Sequence, residues 1–421
     1  MQQSCHPVQV VSVVLVYGKL DNAPFVIVSY WSLMRDLKHL LPKDSWFREW
    51  LELWPTIESP ETYQLFAGMS AMGAALGRRL WFDNDVFRVY PMLNLLLIGP
   101  SGIGKSTVMT YLAGALFKAL PFDHRPTIIS SGTKEKIHLD LSATPKAVVM
   151  ASELANFFNK SKYMEGTIPY FTQLLDYEDQ VELRTKGSGI VVITNPSVTV
   201  MGASTVEWLQ DQLPDSAGTG GFLARFLIIA EEYKGKRVPL PGLALEVRER
   251  TTLDLRRAKV INDFVRLVDS APAGPIPLES YDVADTFAYW YMNQKPEIGY
   301  LAPFVERSRE IVLRLSTLLA LSCGRSVIKN EDVSSAIALY HAATIRLKTV
   351  VVPMSVDGKL LLAVLRTLGR GSMTREELYS AMSSIATDKR IDLLVDSHLR
   401  SGALTLVDGK LKRSKVGVLK G

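Results

Sequence analysis

A glycine-rich stretch carries the clearest chemistry in this 421-residue sequence. The residues GPSGIGKST, 99–107, directly follow the apolar run LNLLLI and match the pattern G-x-x-x-x-G-K-[ST]. In this pattern backbone N–H groups wrap phosphate oxygens, the lysine places a positive charge on the β- and γ-phosphates, and the next hydroxyl ligates Mg²⁺. The sequence therefore predicts that ATP and Mg²⁺ bind here. The predicted contacts are Gly99, Pro100, Ser101, Gly102, Gly104, Lys105, Ser106 and Thr107.

Hydrolysis also requires an acidic side chain at the tip of a neighbouring strand, because such a group polarises the attacking water. The run VVMASEL, 148–154, offers Glu153, and Ser152 precedes it where an aspartate is usual. We expect Glu153 to activate the water, and Ser106 and Ser152 to bind magnesium, the latter through a water molecule. A glutamate that merely ends a strand at the surface is the alternative interpretation.

The elements that position these groups alternate between apolar strand patterns and helix patterns. Strands are predicted up to Ile98 and at TIIS, VVMAS, GIVVI, VTVMGA and FLIIA, with helices after Lys105 and Thr133. This alternation predicts a three-layer α/β domain with a largely parallel sheet. Ahead of it, SPETYQ predicts a helix start with Ser59 as the N-cap. Beyond PLPG, 239–242, the chain is predicted to be helical as far as a linker near Pro353.

One arginine, Arg225, interrupts the apolar run FLARFLIIA, 222–230. A buried guanidinium without a partner is costly, so this side chain must be paired or must point out of the fold.

The segment from the phosphate loop through GGFLARFLII resembles the AAA+ ATPases, and among them the minichromosome maintenance helicases, over roughly residues 90–350. Those helicases end their core with Ser-Arg-Phe between apolar runs, and Ala224, Arg225 and Phe226 stand in that place. The resemblance implies that Arg225 is a finger that reaches the ATP of a neighbouring subunit, so that the protein is a homo-oligomer, a hexamer. An ion pair within the chain is the alternative. With GRRLWFD ahead of the loop, the sequence also resembles a phage and prophage P-loop family described as helicase-like or primase-associated.

The resemblance implies roles for further residues. It implies a polar sensor beside the γ-phosphate at Ser204 or Thr205, and a second sensor in a helical lid at Arg307, with Arg309 as the alternative. It also implies a β-hairpin that projects into a central pore. VELR and GIVVI are predicted to be its strands and TKGSG its turn, which puts Lys186 at the tip for contact with DNA.

The C-terminal segment is basic: from Val356 to Gly421 it contains 12 Lys and Arg against 7 Asp and Glu, so its excess of +5 equals that of the whole chain. Three helix patterns followed by TLVDGKLKRSK, with Asp408-Gly409 as a hairpin turn, predict a winged helix-turn-helix. A protein-docking module is the alternative to a DNA-binding one. The residues expected at DNA phosphates are Lys389, Arg390, Lys410, Lys412 and Arg413.

Composition excludes several other classes of protein. Cys5 and Cys323 are the two cysteines, and the six histidines lack ligand spacing, which argues against a disulfide framework or a zinc site. The run VQVVSVVLVYG, 8–18, is too short to cross a bilayer, so we expect a cytoplasmic protein that does not contact a membrane.

The predicted function is ATP-dependent DNA unwinding or translocation by an oligomer, in replication of a phage, prophage or other mobile element. Its partners would be single-stranded or forked DNA and a possible primase or initiation factor. An initiator, loader or defence switch that binds DNA without unwinding it is the alternative, and a monomeric P-loop kinase is a third hypothesis. The predicted organisation is an N-terminal arm (1–45), an AAA+ core (46–235), a helical lid (236–352) and the winged helix (353–421).

Overall fold

The computed structural model describes residues 14–15, 27–28, 37–154, 166–185, 189–212, 221–297, 301–351, 356–368, 371–383, 386–400 and 404–413. Its strands are β1 (Val14–Leu15), β2 (Ile27–Val28), β3 (Leu80–Asn84), β4 (Phe87–Val89), β5 (Leu95–Ile98), β6 (Thr127–Ile129), β7 (Lys146–Ala151), β8 (Gln180–Thr185), β9 (Gly189–Thr194), β10 (Ser197–Ser204), β11 (Leu227–Ala230), β12 (Gly274–Pro275), β13 (Ser372–Met373), β14 (Leu404–Val407) and β15 (Lys410–Arg413).

The helices begin with α1 (Trp46–Glu52) and α2 (Glu61–Leu76). Helix α3 runs from Lys105–Thr107 through a π-helical segment, Val108–Ala113, to Gly114–Ala119. The others are α4 (Lys134–Ala143), α5 (Thr167–Leu175), α6 (Val206–Gln212), α7 (Val247–Ser270), α8 (Tyr281–Met292), α9 (Ala302–Glu306), α10 (Ser308–Ser322), α11 (Asn330–Thr344), α12 (Leu347–Val351), α13 (Val356–Leu368), α14 (Arg375–Met382) and α15 (Asp388–Arg400).

The central sheet has five strands in the order β11-β5-β10-β7-β6, and each pairing is parallel. All four residues of β5 and all eight of β10 are buried, as expected for central strands covered on both faces. The mixed α/β architecture predicted from the alternating patterns is therefore present. Because the strands are parallel, the chain leaves β5, β7, β10 and β11 at the same edge, which we call the phosphate-loop edge.

Helix α2 packs deep in the main hydrophobic cluster, and each of its residues after Glu61 is buried. The approach is close: a Cβ at Gly73 would lie 2.3 Å from the Pro91 carbonyl oxygen. Leu37 and Leu41, at the end of the predicted N-terminal arm, pack into this same cluster.

Strands β8 and β9 form an antiparallel hairpin outside the central sheet. It is seated on α4 and α5 through the buried His138, whose ring nitrogens lie 2.8 Å from the Val191 carbonyl oxygen and 3.0 Å from the Tyr170 hydroxyl. The turn with Lys186 lies outside the described residues.

Residues of the C-terminal segment form their own hydrophobic cluster, which includes Val364, Leu378, Ile391 and Leu411. Three helices, α13 to α15, surround a small sheet in the order β13-β15-β14. Asp408 and Gly409 connect β14 to β15 with positive φ angles of 50° and 72°, as a tight two-residue hairpin turn requires.

Candidate nucleotide site

The phosphate loop leaves β5 and enters α3 with two glycines in the left-handed region, Gly102 at φ 81° and Gly104 at φ 98°. Ser59 closes over Gly104: its hydroxyl donates to the Gly104 carbonyl at 2.9 Å. A Cβ at Gly104 would lie 2.0 Å from that hydroxyl oxygen, so the position requires glycine on two grounds. The expectation that Ser59 caps α2 was wrong, because the N-cap residue is Pro60 and Ser59 holds the loop instead.

Lys105 is buried, with 7% of its surface exposed. Its ammonium donates to carbonyl oxygens of the same loop, Gly99 at 2.5 Å and Pro100 at 3.0 Å. Burial lowers the pKa of Lys105, and the charge of Glu153 partly opposes that shift. Loop, lysine and Glu153 therefore lie within electrostatic range of one another at the phosphate-loop edge.

Two polar atoms at this edge are buried and have no hydrogen-bond partner among the residues that the structure describes, Glu153 Oε2 and Ser204 Oγ. Ser204 pairs in register with Ile98, and its carbonyl accepts from the Gly99 N–H at 3.2 Å, so its hydroxyl lies beside the start of the loop. Thr205, the other predicted sensor, is used differently: its hydroxyl accepts from Trp208 N at 3.2 Å at the start of α6. Of the two, Ser204 is the one whose hydroxyl has no partner in the described part of the chain.

The residues expected at magnesium suit a cation that is held mainly by phosphate and water. Ser106 and Ser152 are both exposed at this edge, one at the start of α3 and one directly after β7. Across the described ranges there is no cluster of three or more His, Cys, Asp and Glu that could cage a metal ion. Mg²⁺ commonly keeps several waters and takes few protein ligands beside substrate phosphates, so hydroxyls with one carboxylate nearby fit it.

The end of β11 places a second carboxylate beside the loop that the sequence analysis missed. Glu231 N donates to the Ile98 carbonyl at 2.9 Å, and its side chain accepts from the Thr62 hydroxyl at 2.8 Å. Burial raises the pKa of Glu231, although Thr62 and Arg346 oppose that shift. Arg346, between α11 and α12, lies 3.1 Å from the carboxylate of Glu232. In the sequence, the two glutamates that directly follow the strand FLIIA could have indicated this carboxylate.

A cavity of about 560 Å³ adjoins the outer side of the loop. Its lining is Glu58, Pro100, Ser101, Gly102, Ile103, Glu232, Tyr233, Lys234, Lys236, Arg237 and Pro239. Its size is in the range of cavities that bind small molecules, and it lies beside the phosphate loop.

Arg225 lies at the opposite edge of the sheet, ahead of the last strand. It ends a 3₁₀ turn, Leu223–Arg225, ahead of β11, so it precedes the strand whose far end adjoins the phosphate loop. Its side chain is 9% exposed and forms an ion pair with Asp176. The partner within the chain that was held as the alternative is therefore present in this structure.

Arg307 also lies at this second edge, which we call the arginine edge. It is the residue between α9 and α10, and its guanidinium is 3.8 Å from Asp176 and 3.8 Å from Glu310. Arg309 lies over the rings of Phe87 and Tyr291 instead. The structure thus brings Arg225 and Arg307 together, away from the phosphate loop of their own chain.

The basic residues expected at DNA are accessible where the structure describes them. Lys389 and Arg390 are exposed in the first turn of α15, and Lys410 and Lys412 are exposed on β15 on either side of the buried Leu411. Arg413 ends β15.

Comparison with known proteins supports the coarse assignment. A family model described as RNA helicase matches residues 95–169, which include the phosphate loop and Glu153. No curated protein matches the chain. The chain therefore contains a P-loop domain of helicase type, with the nucleotide-dependent chemistry that such a domain suggests. No helix among the described residues is long and apolar enough to cross a membrane.

Proposed function

We propose that this protein is an ATPase that works as a ring of identical subunits, a hexamer, and translocates on or unwinds DNA, in replication of a phage or another mobile element. The observation that carries the proposal is the state of the phosphate-loop edge. The charge of Glu153 acts on Lys105, and two buried polar atoms at this edge, Glu153 Oε2 and Ser204 Oγ, have no hydrogen-bond partner among the described residues. Buried polar groups in folded proteins are normally paired, so two unpaired atoms beside a phosphate loop support a site that a ligand completes.

The chemistry is phosphoryl transfer to water. The N–H groups of residues 99–107 surround the phosphates, and the Lys105 ammonium leaves the loop carbonyls for the phosphate oxygens. Glu153 accepts a hydrogen bond from the attacking water, and Ser204 orients the γ-phosphate. Mg²⁺, held by Ser106 and through water by Ser152, neutralises phosphate charge when it is bound. Positioning and charge stabilisation are the main catalytic contributions.

The second half of each active site comes from the adjacent subunit in this proposal. Arg225 and Arg307 lie together at the arginine edge, and in a ring that edge faces the phosphate-loop edge of the neighbour. Both arginines then neutralise the γ-phosphate as bond cleavage proceeds. The predicted lid sensor thereby acts with Arg225 between subunits.

DNA contact is assigned to the β8–β9 hairpin and to the C-terminal segment, a winged helix. Lys186 follows β8, and a ring of such lysines tracks phosphates without reading sequence. The exposed cations of α15 and β15 add a second phosphate-binding surface.

The test measures ATP hydrolysis alone and with single-stranded DNA, forked DNA and single-stranded RNA, together with sedimentation and particle imaging in the presence of ATP. We expect rings and stimulation by DNA. Stronger stimulation by RNA would reassign the substrate, and a monomer whose turnover ignores all nucleic acids would refute the proposal.

A second experiment separates translocation from the alternative, an initiator, loader or switch. Lys186→Ala is expected to remove DNA-stimulated turnover and to leave the basal rate intact. Lys118→Ala, on the exposed face of α3, is the matched control. Unchanged stimulation with Lys186→Ala favours the switch.

A further inference from the structure

Asp176 binds Arg225 in the two-pronged geometry with which a guanidinium holds an anion. The Nε and Nη2 atoms of Arg225 donate to the two carboxylate oxygens of Asp176 at 2.8 and 2.5 Å. The remaining Nη1 donates to the Gly221 carbonyl at 2.8 Å. Each guanidinium nitrogen of Arg225 thus donates a hydrogen bond inside its own chain, and its donors to Asp176 are placed as they would be placed for a phosphoryl group.

A second cation shares the same carboxylate. Arg307 lies 3.8 Å from the Asp176 oxygen to which Arg225 Nε also donates. Burial, and next the charge of Arg225, lower the pKa of Arg307. Two guanidinium groups therefore converge where only an anion makes their proximity favourable.

Hydrogen bonds hold the backbone at Arg225, so its 3₁₀ turn cannot move away from Asp176. The buried Asn94 donates to the Arg225 carbonyl at 3.3 Å and accepts from Val200 N at 3.0 Å, which ties the turn to β10. The carboxylate is the more accessible partner, because the Asp176 side chain is 38% exposed against 9% for Arg225. Displacement of Asp176 therefore requires movement of the exposed partner, at the end of α5.

We propose that Asp176 occupies, between Arg225 and Arg307, the position of a neighbouring subunit's terminal phosphate, and that assembly around ATP displaces it. The inference rests on the proposed function, since it requires a second copy to supply the phosphate. A free subunit then keeps its arginines neutralised, and a γ-phosphate with more charge than one carboxylate takes them over on assembly. Asp176 opposes premature association, and its removal favours association.

The experiment records ATPase activity per subunit against protein concentration for wild type, Asp176→Asn and Asp179→Asn. Asp179, three residues after Asp176, is a matched control. It also forms an ion pair with an arginine, but that arginine is Arg78 and not Arg225. For Asp176→Asn we expect half-maximal activity at roughly a three- to tenfold lower concentration, with the plateau retained within about twofold. Asp179→Asn is expected to leave the curve in place.

Two results for Asp176→Asn would overturn the inference. One is a shift of half-maximal activity to higher concentration; the other is loss of the plateau activity while the melting temperature equals that of Asp179→Asn. Either result would make Asp176 a positioning residue for the arginines. If Asp176→Asn does not fold, Asp176→Ser, smaller and uncharged, takes its place with the same expected shift. Arg225→Ala tests the parent proposal separately. Full turnover in Arg225→Ala contradicts the shared active site itself, whatever the Asp176 variants do.

Discussion

The two edges of the central sheet are finished in different ways. At the phosphate-loop edge, Glu153 Oε2 and Ser204 Oγ are buried without partners in the described ranges, and the Lys105 ammonium donates to carbonyl oxygens of its own loop. At the arginine edge, Arg225 has three hydrogen bonds within the chain. The phosphate-loop edge has buried polar atoms that a ligand can pair with, whereas at the arginine edge Arg225 must first separate from Asp176. Under the proposed function, this difference leads us to expect that nucleotide binding needs one subunit and that hydrolysis responds to assembly.

The largest expected effect comes from the lysine of the phosphate-loop edge. Lys105→Ala removes a positive charge that we propose to lie at the phosphates, so we expect kcat to fall by at least about 100-fold and nucleotide binding to weaken. Turnover and binding of a fluorescent ATP analogue measure the two effects. Lys118→Ala is the control, and a Lys105→Ala protein with ordinary turnover would show that the loop is not the catalytic phosphate site.

Glu153→Gln should separate binding from chemistry at the same edge. The amide keeps the shape of the side chain but cannot accept a proton from water, so we expect ATP binding close to wild type and turnover lower by about 100-fold. Glu135→Gln, exposed in the first turn of α4, is the control. Equal loss of binding and turnover would instead indicate a structural role for Glu153.

Ser204→Ala and Thr205→Ala distinguish the two sensor candidates. The buried Ser204 hydroxyl has no partner among the described residues, so its removal should leave the melting temperature unchanged or higher while turnover falls by about tenfold. Thr205 accepts from Trp208 N, so its removal should cost about 1 kcal/mol of unfolding free energy with little change in turnover. Thermal melting and steady-state kinetics decide between them, and the reverse pattern would move the sensor to Thr205.

The smallest effect is expected at Ser59, which braces the loop from outside. Ser59→Ala removes the hydrogen bond to the Gly104 carbonyl. This loss should weaken nucleotide binding by about fivefold, the equivalent of about 1 kcal/mol, with kcat retained. Titration with ATP measures this change. Ser142→Ala is the matched control, because the Ser142 hydroxyl donates within its own helix, to the Leu139 carbonyl. A fall in kcat without a change in binding would place Ser59 in catalysis instead.

The sequence predicted those parts of the fold and site that depend on neighbours along the chain. The glycines of the loop, the lysine that follows them and the apolar strand before them act through backbone conformation and short-range geometry, so a local pattern identifies them. The parallel sheet followed from alternating strand and helix patterns. The prediction that Ser59 caps α2 was wrong although the local sequence favoured it, because the Ser59 hydroxyl forms its hydrogen bond with the carbonyl of Gly104, 45 residues away, and not with the helix terminus.

The arginine edge could not have been read from the sequence in the same way. Asp176 and Arg225 are 49 residues apart, and no spacing rule connects a carboxylate at a helix end with an arginine before a strand. The sequence does show a single arginine within an apolar run, but either a neighbouring subunit's phosphate or an ion pair within the chain would explain it. Which group pairs with Arg225 in a free subunit depended on where α5 ends relative to β11.

By itself the sequence predicted a phosphate loop, a parallel α/β core and one arginine that had to be paired or to point out of the fold, since each follows from residue type and local spacing. The tertiary structure decided that the Ser204 hydroxyl, unlike that of Thr205, has no hydrogen-bond partner in the described part of the chain, that Arg307 lies beside Arg225 and that Asp176 neutralises Arg225. These are properties of packing, because they depend on which strand ends meet at an edge and on which buried polar atoms find partners there.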